Sequence, residues 1–350
     1  MIERSAARRS DQTPDELGRE DALARLNAVD LPVALPFKPD QWPIAGAMLQ
    51  FPGMTGRGVS VRAAGPERWR SDLSLVAVEG FRAVEIPSAW LPFGEMSAAE
   101  LDELKAVLRE VNLDLCATAI VRRSFADRSD GVANLAATHR AIDATAALGA
   151  PLICLSLHGP LRPEQRKIAW FWTVAGETSA DAHVAWDVAV ARSRELADHA
   201  REVGVEVSFE LYEGTYLGTA DSALRFLADI DRDNVGLNPD LGNLIRMQQP
   251  IEPWESMAVK TLPFANYWHV KNYARAENPD AGIYLTSPTS LAAGLIDYRR
   301  AIAFAIAHGF RGPFLCENYG GDGLSVSAEN MRYLARLLGH IGRPEPAARR

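Results

Sequence analysis

Val205–Glu210 reads VEVSFE, and three later stretches repeat its form: Asn234–Asp240 (NVGLNPD), Ala265–His269 (ANYWH) and Gly312–Glu317 (GPFLCE). Each is a short run of the length and composition of a buried strand, closed by a carboxylate or an imidazole. Successive strand residues alternate sides, so Glu206, Ser208 and Glu210 share one face while Val205, Val207 and Phe209 share the other. A buried carboxylate is costly unless it is paired or coordinated. Glu210, Asp240, His269 and Glu317 stand 30, 29 and 48 residues apart, about one strand-plus-helix unit or a little more. On neighbouring strands, these four side chains would converge on one divalent cation.

Outward from these runs the same beat recurs. Strands are expected at Ala47–Phe51, Ala83–Ile86, Asp114–Ile120, Leu152–Leu157, Glu206–Leu211, Val235–Asn238, Tyr267–Val270 and Phe314–Cys316. Amphipathic helical patterns separate them, among them Ser97–Glu110, Val132–Leu148, Ala182–Val203, Ala220–Ile230, Asp297–His308 and Ala328–Leu338. Alternating strands and helices predict parallel βαβ units, and eight of them predict an α/β fold, a (β/α)8 TIM barrel. No GxGxxG follows the first strand, which removes the main support for a dinucleotide-binding sheet. Residues 1–44 read as an N-terminal arm with one helix near Pro14–Ala28, residues 45–340 as the catalytic barrel and residues 341–350 as a tail. Two long connections, Gly159–Ala180 and Asn272–Gly294, both follow strands, which places them on the catalytic face.

Composition narrows the function. The chain has 350 residues, 47% of them hydrophobic, and a net charge of −8. An acidic chain is a poor nucleic-acid binder, because that binding depends on neutralising phosphates. Cys116, Cys154 and Cys316 form no CxxC and read as buried, reduced thiols. No apolar h-region opens the chain and no stretch approaches the roughly 20 residues that span a bilayer. A cytoplasmic enzyme without nucleic-acid or membrane partners is expected. One imidazole and three carboxylates favour a hard ion, Mn²⁺ first, with Mg²⁺, Co²⁺ or Zn²⁺ as alternatives.

The segments FELYE (209–213), GLNPDLGN (236–243), YWHVKNY (267–273) and FLCENYGG (314–321) resemble the metal-binding strands of the xylose-isomerase-like TIM barrels, the sugar isomerase/epimerase superfamily. The resemblance covers about residues 45–340 and implies Glu210, Asp240, His269 and Glu317 as metal ligands. More narrowly, LSLHGP (155–160), the tryptophan-rich insertion behind it and the N-terminal arm are similar to the larger α subunit of the C-glycoside deglycosidases. That likeness implies a carbon–carbon lyase acting on 3-oxo-C-glucosides, with manganese and a smaller β subunit in a hetero-oligomer. The other reading on the same metal is a sugar isomerase or ketose epimerase. An endonuclease of the same superfamily would need more histidines and a basic groove, and a subunit with a dead site would not need an intact ligand set.

Both leading readings begin with removal of a proton alpha to a carbonyl. The superfamily's metal-bound glutamates imply Glu210 and Glu317 for that step; His158, just past a strand end, offers a separate base. Lys271 is a candidate to steady an oxyanion, and Trp170, Trp172 and Tyr212, with Phe171, to contact substrate. Each has a plainer reading: His158 bonded to backbone, Lys271 paired with Glu210 or Glu317, the aromatic cluster packing its loop or a subunit contact. His139, His183, His199, His308 and His340 read as surface or packing residues, and Glu206 and Glu213 as outer groups.

Overall fold

The structure, a computed structural model, describes residues 18–176, 178–180 and 185–344. Eight strands form its centre: β1 (Ile44–Ala47), β2 (Ala83–Pro87), β3 (Asp114–Ala119), β4 (Leu152–Leu155), β5 (Glu206–Glu210), β6 (Val235–Asn238), β7 (Trp268–Val270) and β8 (Phe314–Cys316). All their pairings are parallel, and β8 closes the ring by pairing with both β1 and β7. The last seam, between β6 and β7, is thinner. One bridge joins Leu237 and Ala265, and the Asn238 Oδ1 accepts the His269 backbone N–H at 2.8 Å. A side-chain amide thus completes the barrel where the ladder stops.

Eight helices surround the ring: α1 (Pro66–Val78), α2 (Ala98–Glu110), α3 (Gly131–Leu148), α4 (Trp186–Glu202), α5 (Ala220–Ile230), α6 (Trp254–Thr261), α7 (Tyr298–Ala307) and α8 (Gly323–Ile341). Their periodicity explains their seating. In α5, Ala220, Ala223, Phe226, Leu227 and Ile230 form one buried stripe. In α2, Leu101, Leu104, Val107 and Leu108 do the same behind a Ser97/Glu100 capping box. Inside the ring the side chains are small: Ala45, Ala47, Ala83, Ala117 and Ala119 surround Tyr267. The three cysteines are buried and free, as expected. Among the described residues no helix is long and apolar enough to cross a membrane.

The first strand is a correction. It spans Ile44–Ala47 rather than 47–51, because Met48 begins a turn in which the Phe51 N–H reaches the Met48 carbonyl. The sequence Ala-Gly-Ala looks too weak for a strand. Small size is what this position requires, since a Cβ on Gly46 would lie 2.9 Å from Val76 Cγ1 of the helix behind it. The connection 272–294 is also more ordered than a loop. Asn272–Asn278 and Ile283–Thr289 pair as an antiparallel hairpin across a Pro279–Gly282 turn. The helix near 14–28 spans Arg19–Asn27; residues 14–17 lie outside the described part. The helix expected at 182–203 is α4, with 182–184 likewise outside. The last helix starts five residues earlier than 328, where Asp322 caps it by accepting the Ser325 N–H.

Residues 18–43 pack on this chain's own barrel. Ala22 and Leu26 of the first helix are buried, and Arg19 Nε donates to Glu255 Oε1 of α6 at 3.0 Å. Val33–Leu35 pairs in parallel with Gly342–Pro344. Trp42 donates its indole N–H to the Gly312 carbonyl at 3.0 Å and packs against Phe310 and Phe314.

Candidate metal centre

Each candidate ligand stands where its strand reaches the mouth. Glu210 ends β5, Asp240 follows β6, His269 sits within β7 and Glu317 follows β8. One donor atom from each of the four lies within 4.8 Å of the others. His269 Nδ1 is 3.5 Å from Glu210 Oε1, 3.9 Å from Asp240 Oδ2 and 3.5 Å from Glu317 Oε2. Three carboxylates meet here with one close ammonium: Lys271 Nζ lies 2.7 Å from Asp240 Oδ2 and 2.8 Å from Glu317 Oε1. Asp240 is fully buried and His269 and Glu317 nearly so. Negative charge exceeds positive in a place water barely reaches, and a divalent cation would supply the difference.

The imidazole shows that the residues fit such an ion. His269 Nε2 lies 3.1 Å from Glu85 Oε2, which also accepts the Tyr267 hydroxyl at 2.8 Å. Burial opposes the charge of His269, yet the carboxylates around it raise it well above an ordinary histidine. With its proton on Nε2 alone, as a bound ion would require, the ring presents the Nδ1 lone pair to the three carboxylates. Nδ1 has no hydrogen-bond partner there. A lone pair facing anions is unfavourable alone and is what a metal ligand presents, with a carboxylate behind it fixing the tautomer. Neighbouring groups hold the other ligands. Asn243 Nδ2 donates to Glu210 Oε1 at 3.1 Å, and the Asn243 N–H reaches Asp240 Oδ1 at 3.2 Å. Gly242 leaves the path of Lys271 open, since a Cβ there would lie 2.4 Å from Lys271 Cγ.

Electrostatics divides the carboxylates. Burial alone would raise Glu210, but His269 and Lys271 beside it bring it to about 2. Burial likewise opposes ionisation of Glu317, and Lys271 and His269 hold it below the usual carboxylate range. Asp240 is pushed up by burial to about 7, with the other two carboxylates opposing its charge. Burial works against Lys271's charge, yet Asp240 and Glu317 raise it well above an ordinary lysine.

His158 lies beside this centre, with both ring nitrogens engaged. Nε2 accepts the Arg122 backbone N–H at 3.2 Å, Nδ1 meets the Ser156 hydroxyl, and the ring stacks on Tyr212 at 4.1 Å. Burial, with Arg122 nearby, lowers it to about 3. A cavity of about 240 Å³ opens here, lined by Arg122, His158, Gln165, Trp172, Tyr212 and Glu213 among others. Of the aromatic candidates, Trp172 and Tyr212 line it, whereas Trp170 is partly exposed and stacks on Trp172 at 6.0 Å. Lys271 adopts the paired arrangement, with Asp240 and Glu317 as its partners. His183 lies outside the described residues.

Several residues at the mouth escaped the sequence reading. Glu85 had a signal, a lone carboxylate inside the apolar run AVEIP. Arg246 had none. Its guanidinium is fully buried, pairs with Glu213 Oε1 at 2.6 Å and lies about 5 Å from the rings of Phe171, Trp172 and Tyr212. Those rings come from two distant segments, so only the fold brings them together. Burial opposes Arg246's charge, and Glu213 more than restores it.

The family model described as xylose isomerase-like TIM barrel matches residues 73–337. A xylose isomerase-like TIM barrel protein from Mycobacterium smegmatis, solved in complex with magnesium, is 40% identical, with a TM-score of 0.82 over 86% of this chain and 98% of that one. The chain belongs to the xylose isomerase-like TIM barrel family. More distant structures share the fold: D-allulose 3-epimerase from Methylomonas sp. (17% identity, TM-score 0.59, covering 87% of this chain and 99% of that one) and 3-keto-D-glucoside 4-epimerase from E. coli (14%, 0.56, 85% and 100%). No curated protein matches the chain.

Proposed function

We propose that this chain is a divalent-metal-dependent sugar isomerase or epimerase that moves a proton at a carbon next to a sugar carbonyl. The observation that carries this reading is His269 Nδ1 turned, with no hydrogen-bond partner, toward three converging carboxylates. Glu210, Asp240, His269 and Glu317 would hold the ion, Mg²⁺ or Mn²⁺, and the magnesium complex of the Mycobacterium relative agrees with that choice. The bound ion supplies Lewis-acid stabilisation of the negative charge that develops on the substrate oxygen.

The chain's own residues do the rest. Glu210 and Glu317 are ionised near neutrality and so can take a proton. They stand on β5 and β8, so one can remove the proton and the other return it. Asn243 orients Glu210, and Lys271 orients Glu317. The cavity beside Tyr212 and Trp172 is large enough for part of a sugar.

Cleavage of a carbon–carbon bond in 3-oxo-C-glucosides, with a smaller partner subunit, depends on His158 as the base. A base needs a free lone pair, and the Arg122 N–H already occupies the one on Nε2. The chain's three unpaired thiols fit a cytoplasmic setting.

The test is turnover of ketohexoses and 3-keto-glucosides in deuterated water with Mg²⁺ or Mn²⁺. Deuterium should enter the product, Glu210→Gln and Glu317→Gln should each cost about 10²–10⁴ in kcat, and His158→Ala should keep most of the activity. Release of an aglycone that His158→Ala abolishes would overturn the proposal in favour of the lyase.

A further inference from the structure

On the outer layer of the barrel, α3 and α4 carry a second group of side chains of the metal-ligating type. His139 and Asp143 are one helical turn apart on α3, and Glu195 and His199 one turn apart on α4, so each pair shares a face. The pairs cross. His139 Nε2 lies 2.8 Å from Glu195 Oε1, and His199 Nε2 lies 2.8 Å from Asp143 Oδ1. The two ring planes are inclined by 28° with centroids 4.8 Å apart, and the two Nδ1 atoms face each other edge to edge at 2.5 Å.

The hydrogen-bond inventory fixes what this means. A carboxylate only accepts, so each Nε2 carries its proton toward Glu195 or Asp143. Both Nδ1 lone pairs are then directed at one point between the helices. Two lone pairs at that distance repel unless something positive lies between them, a proton or a metal cation. Imidazoles whose far nitrogen is tied to a carboxylate are the usual form of a metal-binding histidine. Two Zn–N bonds of about 2.0–2.1 Å at a tetrahedral angle put the nitrogens roughly 3.3 Å apart, so the rings need to part by less than about 1 Å. The histidine side chains keep 26% and 20% of their surface exposed, enough for water to fill the remaining coordination positions.

We propose that His139 and His199 form a second metal site, a surface clamp for a borderline divalent cation such as Zn²⁺, Ni²⁺ or Cu²⁺, with Glu195 and Asp143 as its positioning residues. Its two nitrogen donors select differently from the oxygen-rich barrel centre, and the bound ion staples α3 to α4. The proposal does not depend on the activity assigned to the barrel.

The probe is zinc alone. Calorimetric titration of the metal-stripped chain with Zn²⁺ should show one more equivalent for the wild type than for His139→Gln/His199→Gln. That extra event should raise Tm in the wild type only. Glu195→Gln/Asp143→Asn should keep the extra equivalent but bind it about 10-fold or more weakly. Diffraction at the zinc edge on wild-type crystals needs no variant: an anomalous peak between α3 and α4 supports the clamp. Equal zinc stoichiometry in wild type and double variant, or a peak confined to the barrel mouth, overturns it.

Discussion

Glu85 on β2 sets the tautomer of His269 on β7: its Oε2 lies 3.1 Å from the imidazole Nε2 and 2.8 Å from the Tyr267 hydroxyl that steadies it. Glu85 offers the ion no donor, yet it decides which nitrogen does. Glu85→Gln should therefore weaken Mn²⁺ or Mg²⁺ binding by about 10–100-fold with the barrel still folded. Calorimetry gives the affinity and circular dichroism the fold. Unchanged affinity would mean that His269 is oriented by its packing alone.

Gly242 is predicted to be intolerant for a reason of space. A methyl group there would sit 2.4 Å from Lys271 Cγ, and that side chain runs between Gly242 and the carboxylates it neutralises. Gly242→Ala should cost about 1–3 kcal/mol and lower metal affinity with it, because Lys271 must shift. Thermal unfolding and calorimetry on one preparation test both; a variant as stable and as tight-binding as wild type would contradict the packing described here.

Removing the metal should loosen the mouth. Glu210, Asp240 and Glu317 repel one another, with a single lysine ammonium bonded among them. An ion that binds only the folded chain raises stability by RT ln(1 + [L]/Kd), about 2.7 kcal/mol at 100 times Kd. Tm should rise with added Mn²⁺, fall with a chelator, and respond to neither in Asp240→Asn/Glu317→Gln. A Tm indifferent to metal in the wild type would count against the centre.

A pH effect is expected away from the mouth. Glu100 accepts two hydrogen bonds from Arg62 and also caps α2 at Ser97, and these hold its carboxyl at about 2 against an ordinary 4.5. The folded form thus binds its proton later than the unfolded form, so the pair's stability is present above about pH 4.5 and is lost as pH falls toward 2. The pair is partly exposed, so its worth is at most about 1 kcal/mol. Denaturation of Glu100→Gln beside wild type should show that gap at pH 7 and a smaller one at pH 3. A gap independent of pH would assign it to capping geometry rather than charge.

The candidate ligands were legible because each closes an apolar run with a polar group the core does not tolerate unaided. Seven of the eight strands were legible for the complementary reason, their buried runs. What failed was local weakness hiding a global need: Ala45-Gly46-Ala47 has little strand propensity, yet only small residues pass between Val76 and the barrel interior. The 272–289 hairpin was read as loop because its Pro and Gly turn residues outweighed the alternation on either side. A backbone bond for His158 was one of its two readings, but its partner could not be read, since that is the Arg122 N–H, 36 residues earlier. The Arg246 surroundings could not be read either, because no spacing links Phe171 and Tyr212 to a guanidinium on a later strand's exit.

The seam between β6 and β7 gives the centre a wholeness that its donor list conceals. All four donors come from the second half of the chain, but His269 is fastened on one side to Asn238 across the seam and on the other to Glu85 across the interior. A fragment holding β5 to β8 would own every donor and still be a poor chelator. Chelating power here is a property of the closed ring, in which one of the first strands aims an imidazole contributed by one of the last.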